Sequence, residues 1–442
     1  MYLKNSLTSI AKKAKQIGLL DRFIRYHPLY YTRALRAIKK FNGQGMPERK
    51  KLAEVLRDRA LLHASKTPYG RQFGSNYDNW PVLEKTVLRD SPGICSHRSF
   101  SSIPASTGGT TGLPLNLLRS VECIAVEQAF IDNLIKSHGV SFRSARIAIL
   151  RADEVKSLTD NKPPFGVYRH KGKRLILSSV HMSRHTIDWF VAALQDFRPQ
   201  VLWVYPGTLA SMLRLMDEAG LRLKVPIVLS SSESMAPELS KAITKILSAK
   251  VIDYYGQGER VCLAYATQVE EYWFSPAYGY VELQPEEEPD ADNGTRTARI
   301  IATTYWNNAM PLIRYNTGDF AVIPSTYTAK DLEEVAFGVK PFLGIAGRSN
   351  EFIVTQDGRD LRGLNHIPRD VEHILRLQIV QNCMNKITIR VLANSGFNGS
   401  DRIKIIANAR NYIPPEIDVV VEVVDSLESM PNGKTPFVIR NV

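Results

Sequence analysis

The sequence predicts an α/β protein with a large layered N-terminal domain of mixed sheets plus an antiparallel subdomain, and a small α/β C-terminal domain. Three observations carry that prediction. From about residue 120 to 256, helical and strand patterns alternate, as in a layered core of mostly parallel strands. Residues 278–325 change to short strands and turns. The last hundred residues form a second, smaller alternating unit, and "LGIAGRSN" marks the division into 1–346 and 347–442.

The elements follow in order. Residues 8–66 read as helices broken near Pro28 and Pro47, with "KKLAEVLRDRALLHASKT" showing helical spacing. "VECIAVEQAFIDNLIKSHG" is helical and "ARIAILRA" a short buried strand. Then come helix "HTIDWFVAALQDFRP", strand "VLWVY", helix "GTLASMLRLMDEAG" and strand "VPIVLSSSE". "PELSKAITKILSA" is helical and "KVIDYYG" a strand. Beyond 278, "GYVELQ", "DNGTRTARIIATTYW" and "FAVIP" read as antiparallel strands. In the small unit, "NEFIVTQDGRDL" is a hairpin turning at Asp357-Gly358. Helix "PRDVEHILRL", strand "KITIRVLA", helix "SDRIKIIANARNYI" and strand "IDVVVEVVDS" complete it.

Composition narrows the class. With 442 residues, 44% hydrophobic and 23% charged, the chain is long enough for two or three domains and a sizeable core. Cys95, Cys123, Cys262 and Cys383 lie far apart with no CxxC pair, which suits a reducing compartment and excludes a disulfide framework or zinc site. No apolar run approaches a bilayer span, and the first twenty residues lack a signal-peptide core. The reading is cytoplasmic. The net charge of +13 is uneven: residues 1–51 hold 13 Lys/Arg against Asp21 and Glu48, net +11, which leaves +2 for the rest. Such a basic, apolar-interleaved helical segment can pack one face on the body and solvate the other. It can also lie on an anionic inner membrane surface. Nucleic acid is not expected as a partner, because the bulk of the chain is nearly neutral.

Five stretches can carry chemistry. Ser106-Thr107-Gly108-Gly109-Thr110-Thr111-Gly112 offers amides and hydroxyls to a polyphosphate, or is a flexible turn; it lacks the lysine of a Walker loop. "YYGQGERVCLAY" follows a strand and supplies Tyr255 for stacking and Glu259 as a carboxylate for a metal or a base. Asp319, in "PLIRYNTGDF", reads as a residue of a loop after a strand, able to accept both ribose hydroxyls. "AGRSNEF" adds Arg348 and "PNGKTPF" adds Lys434. Singly, each has an ordinary structural explanation.

Together, in this order and at these separations, they resemble the adenylate-forming superfamily of acyl-CoA synthetases and related ligases over nearly the whole chain. "WPVLEKTVLRD", "LILSSVHMS", "VLSSSESM" and "TTYWNNAMPLIRYNTGD" resemble the branch of phenylacetate–CoA ligase and its capsule-biosynthesis relatives. The resemblance implies that the 106–112 loop holds the β- and γ-phosphates of ATP. It implies that Tyr255, beside Gly256, stacks on adenine, with Asp253, Ser232 and Glu233 near its edge. Glu259 then ligates Mg²⁺, Asp319 and Arg348 bind the ribose, and Lys434, on a small mobile domain, is the catalytic lysine. A carboxylic acid is adenylated and its acyl group passed on, with coenzyme A as the default acceptor. An amine or hydroxyl of a surface-polysaccharide precursor is the alternative acceptor. A non-catalytic nucleotide-binding protein of the same fold is the alternative from another class.

Three positions depart from the family pattern. Gly258 replaces the usual Thr or Ser, Asn316 a common arginine, and Asn350 the usual hinge Asp or Lys. The acyl pocket is expected around His181-Met182 and Trp203-Val204-Tyr205, whose aromatic character fits an aryl acid and fits an ordinary core equally well.

Overall fold

The computed structural model describes residues 19–97, 102–106, 115–151, 153, 155–157, 160–233, 235–286, 294–346, 352–356, 360–361, 364, 367–368, 370–430 and 435–442. It opens with helices α1 (Leu19–Arg25), α2 (Pro28–Phe41) and α3 (Met46–Ala64). Pro28 and Pro47 begin helices rather than interrupt them: each stands in a first turn, where its missing N–H costs nothing. After the short α4 (Lys85–Asp90), strands β1 (Ser102–Ser106) and β2 (Asn116–Ser120) pair antiparallel, Ser106 opposite Asn116. The hydroxyl-rich loop is therefore the connection of a hairpin. Ser120 then caps α5 (Val121–Lys136), its hydroxyl accepting from the Cys123 amide.

The central sheet is built as the alternation predicts. Its strands are β3 (Ile147–Arg151), β4 (Gly166–Arg169), β5 (Arg174–Ser178), β6 (Val201–Val204), β7 (Ile227–Ser231), β8 (Lys250–Gly256), β9 (Leu263–Ala266) and β10 (Tyr272–Phe274). Their order is 10-9-8-7-6-3-5-4. The five central strands run parallel, and the edges are antiparallel. Helices α6 (Ile187–Phe197), α7 (Pro206–Glu218) and α8 (Pro237–Leu247) cover one face with Leu150, Val204 and Val228 beneath them. Helix α5 covers the other face, over Ile149, Val201, Leu229 and Ile252. Covered on both sides, these strands read as nearly continuous apolar runs.

A second sheet, β11 (Gly279–Pro285), β12 (Thr295–Thr304), β13 (Tyr315–Pro324) and β14 (Gly344–Ala346), is antiparallel throughout, as its composition predicts. Helix α9 (Ala329–Ala336) follows β13. The small C-terminal lobe begins with the pair β15 (Ile353–Val354) and β16 (Asp360–Leu361). It continues with β17 (Ile374–Cys383), β18 (Lys386–Ala393), α10 (Gly399–Arg410), β19 (Asp418–Val423) and β20 (Val438–Arg440), in sheet order 19-18-17-20.

One element is corrected. "PRDVEHILRL" is not a helix; its second half starts β17. That strand is central in its sheet, and its first eight residues are buried on both faces, Arg376 and Gln378 included. Burial of both faces erases the two-residue alternation that marks a strand. Part of the cover is the large lobe, since Leu375 and Leu392 join the apolar cluster of α7 and α8.

Of the basic segment, helix α2 packs one face on the body. Tyr31 donates to Asp132 at 2.6 Å, and Arg33 reaches Glu122 at 3.0 Å, both on α5, while Arg36, Lys39 and Lys40 are exposed. No helix among the described residues is long and apolar enough to cross a membrane.

Candidate active site

In open sheets with parallel strands, ligands bind beyond the carboxyl ends of the strands. Here those ends carry Arg151 (β3), Tyr205 just past β6, Ser231-Ser232-Glu233 (β7) and Tyr255-Gly256 (β8). Of the sequence-predicted residues that are described with their side chains, Ser232, Glu233, Asp253, Tyr255 and Gly256 lie on these strand ends, and Glu259 and Asp319 lie close to them.

Tyr255, half-buried, donates its hydroxyl to Asp319 Oδ2 at 2.8 Å. Burial, with the Asp319 charge as second cause, holds the phenol well above its usual range. Asp319 does not follow a strand, as expected, but lies inside β13. Between the pairs Asn316↔Ile301 and Phe320↔Arg299, residues 317–319 stand opposite Ile300 alone. Gly318 takes φ 74 there, and the Thr317 hydroxyl accepts from the Asp319 amide at 3.1 Å. This bulge re-aims the aspartate toward Tyr255. Asn316, the departure from the family's arginine, donates to both carboxylate oxygens of Glu84, at 3.1 and 3.0 Å.

Glu259 is buried. Its Oε1 accepts from the Tyr315 hydroxyl at 2.7 Å and stands 3.3 Å from the Lys85 ammonium. Arg119, on β2, donates to the Gly258 carbonyl at 3.1 and 2.7 Å, tying the hairpin to the turn before Glu259. Asn307 fastens the same hairpin by accepting from the Ser120 amide and donating to the Leu118 carbonyl.

Asp253 sits one register row further in. Its Oδ2 accepts from the Tyr272 hydroxyl, and burial raises its pKa, opposed by Tyr272 and Ser230. Ser232 is exposed in a left-handed conformation (φ 75), which turns the chain sharply out of β7. That turn delivers Glu233 into a clasp between the lobes. Its Oε1 accepts from the Thr435 amide at 2.6 Å, and its Oε2 accepts from Arg376 Nη1 at 2.6 Å and from the Gly207 amide, in the first turn of α7, at 2.8 Å. Arg376 Nη2 donates to the Thr435 carbonyl at 2.7 Å.

Thr107, Gly108, Gly109, Thr110, Thr111, Gly112, Arg348, Lys434 and the hinge position Asn350 lie outside the described residues, as do Asp357-Gly358 of the expected hairpin turn; of Ser106 only the backbone is described. His181 lies just past the carboxyl end of β5, at the same edge, and is buried in packing. Its Nδ1 is 2.7 Å from the Ser178 hydroxyl, and its ring stacks on Phe165. Sequence reasoning missed Lys85, Tyr315, Gly207, Arg376 and Thr435. Lys85 and Tyr315 stand inside stretches already singled out, whereas Arg376 carries no local signal.

Mixed layers, an antiparallel second sheet, a small terminal lobe and a carboxylate-bearing strand edge form the architecture of adenylate-forming ligases. Comparison with known proteins agrees. Residues 353–441 match the CapK C-terminal domain. The chain is 21% identical to protein CapK of Staphylococcus aureus over 382 residues, covering 83% of this chain and 81% of that protein. It is 24% identical to phenylacetate–coenzyme A ligase of Aromatoleum evansii over 332 residues, 72% and 67% of the two. A solved 2-hydroxyisobutyryl-CoA ligase in the postadenylation state shares the fold at TM-score 0.56 and 16% identity, covering 89% of this chain and 90% of that one. These matches support an enzyme of the adenylate-forming superfamily, similar over most of its length to protein CapK and phenylacetate–coenzyme A ligase.

Proposed function

We propose that the protein is an ATP-dependent carboxylate ligase that forms an acyl-adenylate and transfers the acyl group, with coenzyme A as the default acceptor. One observation carries the reading. Tyr255, Asp319 and Glu259 converge at the carboxyl end of β8, beside the hairpin of the 106–112 loop, while Thr435, next in the chain to Lys434, is bonded to the turn after β7.

In this reading Tyr255 presents its ring to adenine, and Asp253, Ser232 and Glu233 frame that base from the strand ends. Asp319 accepts the ribose hydroxyls, with Arg348 assisting, and the loop donates amides and hydroxyls to the β- and γ-phosphates. The substrate carboxylate attacks the α-phosphorus and pyrophosphate leaves. Lys434 places its ammonium against the charge that gathers on the phosphate oxygens. Glu259 suits Mg²⁺ as a single carboxylate, because this ion is commonly held by one or two carboxylates plus substrate phosphates. Bound there, Mg²⁺ would neutralise phosphate charge. The small domain, taken as 347–442, then rotates so that the acceptor reaches the adenylate.

A second reading keeps the adenylate and delivers the acyl group to an amine or hydroxyl of a surface-polysaccharide precursor. It is favoured by the small lobe, whose match is to CapK. ATP–pyrophosphate exchange across a panel of acids tests the shared first step. Acyl-CoA formation from free coenzyme A separates the two acceptors. The proposed location is cytoplasmic, with residues 1–51 touching the inner membrane surface. Equal pelleting of full-length and truncated chains with anionic liposomes would remove that contact.

A further inference from the structure

Tyr255 and Tyr254 point to opposite faces of the central sheet. Tyr255 faces Asp319; Tyr254, one residue earlier, packs with the apolar cluster beneath α5. On the α5 side, the carboxyl edge of the sheet is polar. Ser231 accepts from Trp203 Nε1 at 3.3 Å, and it lies in register with Tyr254. Burial, then the charge of Glu127 on α5, pushes the Tyr254 phenol up to about 12, with Ser231, Arg151 and Arg260 pulling the other way.

The charges along this wall are unevenly matched. Arg260 lies 3.7 Å from Glu127, whose carboxylate also takes the Tyr278 hydroxyl, and Arg260 donates to the Cys123 carbonyl as well. Arg151, at the end of β3, is placed differently. Its guanidinium stands 4.6 Å over the Trp203 ring and 5.9 Å from the Tyr205 ring. Among the described residues its paired carboxylate is Asp153, with Oδ2 at 3.5 Å from Arg151 Nε, beyond the 2.7–2.9 Å of a charge-assisted hydrogen bond. Arg151 Nε and Asp153 Oδ2, the two atoms of that ion pair, are buried and too far apart for a hydrogen bond, and no hydrogen bond engages the two Nη groups among the described residues. A guanidinium stacked on aromatic faces with donors left over is suited to forked recognition of a carboxylate. An apolar acyl chain lying here would leave those donors desolvated and unanswered.

We infer that the acid activated by this ligase carries a second anionic group, which Arg151 holds over Trp203 and Tyr205 at the carboxyl edge of the sheet. The inference rests on the ligase reading and names its substrate class: dicarboxylic acids, rather than the aryl or fatty acids that the aromatic residues alone suggest. One carboxylate attacks the α-phosphorus and displaces pyrophosphate. The remote carboxylate keeps its charge on Arg151 and takes no part in bond making.

The test is pyrophosphate exchange by the full chain with size-matched pairs, succinate against butyrate and glutarate against pentanoate, together with phenylacetate. The diacids are expected to show kcat/KM at least about tenfold higher, and Arg151→Met should lower the diacid value by about 10- to 100-fold, the effect of losing a charged hydrogen bond. KM for ATP should not move. Arg151→Lys, which keeps the charge but not the fork, should fall between. Higher exchange with a monoacid or phenylacetate, or an equal loss on every acid in Arg151→Met, overturns the inference. If no acid supports exchange, it is the ligase reading that fails. Equilibrium dialysis of radiolabelled succinate and glutarate then decides the site: saturable binding lost in Arg151→Met sustains it, and binding that is absent or unchanged overturns it.

Discussion

Replacing Glu233 should undock the small lobe, and the structure fixes the size of the effect. The Glu233 side chain is 4% exposed and that of its partner Arg376 9%, so the pair is buried at the seam. Removing one member of such a pair costs about 3–5 kcal/mol, because the other charge is left without its counter-ion. Arg376 would keep the Thr435 carbonyl, which puts Glu233→Ala near the lower end, about 3 kcal/mol or roughly 150-fold in the docking equilibrium. Glu233→Gln keeps one carbonyl acceptor and should cost about 2 kcal/mol, roughly 30-fold.

Gly207 supplies a test that removes no charge, although a Cβ there would stand 3.2 Å from Glu233 Oε2. A Cβ built there would stand 2.6 Å from Thr435 Oγ1 and 3.0 Å from Thr435 Cβ, so Gly207→Ala drives a wedge into the same seam. Docking is readable by energy transfer between a dye on Cys383, which is exposed on the small lobe, and one on a cysteine introduced at the exposed Lys136 on α5. Glu233→Gln, Glu233→Ala and Gly207→Ala should all move the population to another transfer efficiency, with Glu233→Ala moving it further than Glu233→Gln. Indistinguishable distributions in the wild type and all three variants would refute the reasoning, since both the ion pair and the steric fit would then be irrelevant to docking.

Three further outcomes are expected. Asp319→Asn should raise KM for ATP by about 10- to 100-fold, and Tyr255→Phe by less than about tenfold, because it keeps the ring and loses only the bond to Asp319; equal effects would contradict the division of roles. Glu259→Gln should raise the Mg²⁺ concentration for half-maximal exchange at least about tenfold. Lys85→Met should lower it, since it removes a cation 3.3 Å from the same carboxylate, and a shift in the other direction would count against the site. Native protein should react with iodoacetamide at pH 8 only through Cys383: burial pushes Cys95 and Cys262 up to about 12 and Cys123 to about 11, so their thiolate fractions at pH 8 are on the order of one in a thousand or less, and mass spectrometry would show any second adduct.

What the sequence made legible follows from where its periodicities survive. The parallel strands under two helical layers keep their apolar runs, and the antiparallel sheet keeps its turn residues, so both were readable. Tyr255, Glu259 and Asp319 were legible as motif residues. The bulge that aims Asp319 was not, because it depends on how β12 and β13 pair. Leu83 lies alongside Tyr315 in a parallel bridge, which brings Lys85 to Glu259 across 174 positions of chain, and no local pattern announces such a meeting.

The misread strand and the missed clasp have one cause. β17 lost its alternation because both its faces are covered, and one of the covers is the large lobe itself. Gln378 donates to the Glu428 and Pro436 carbonyls, and Gln381 exchanges hydrogen bonds with the backbone of Val354, so its buried amides serve the small lobe internally. Arg376 alone among these polar side chains crosses to Glu233. A chain cut at this seam would bare Leu375, Leu392 and an unpaired guanidinium together. The apolar part of that contact has no directional preference, whereas the Glu233 carboxylate accepts only where Gly207, Arg376 and Thr435 converge. The leucines add docking strength without direction, while the Glu233 carboxylate adds strength and also fixes the docking geometry at Thr435, the residue next in the chain to Lys434.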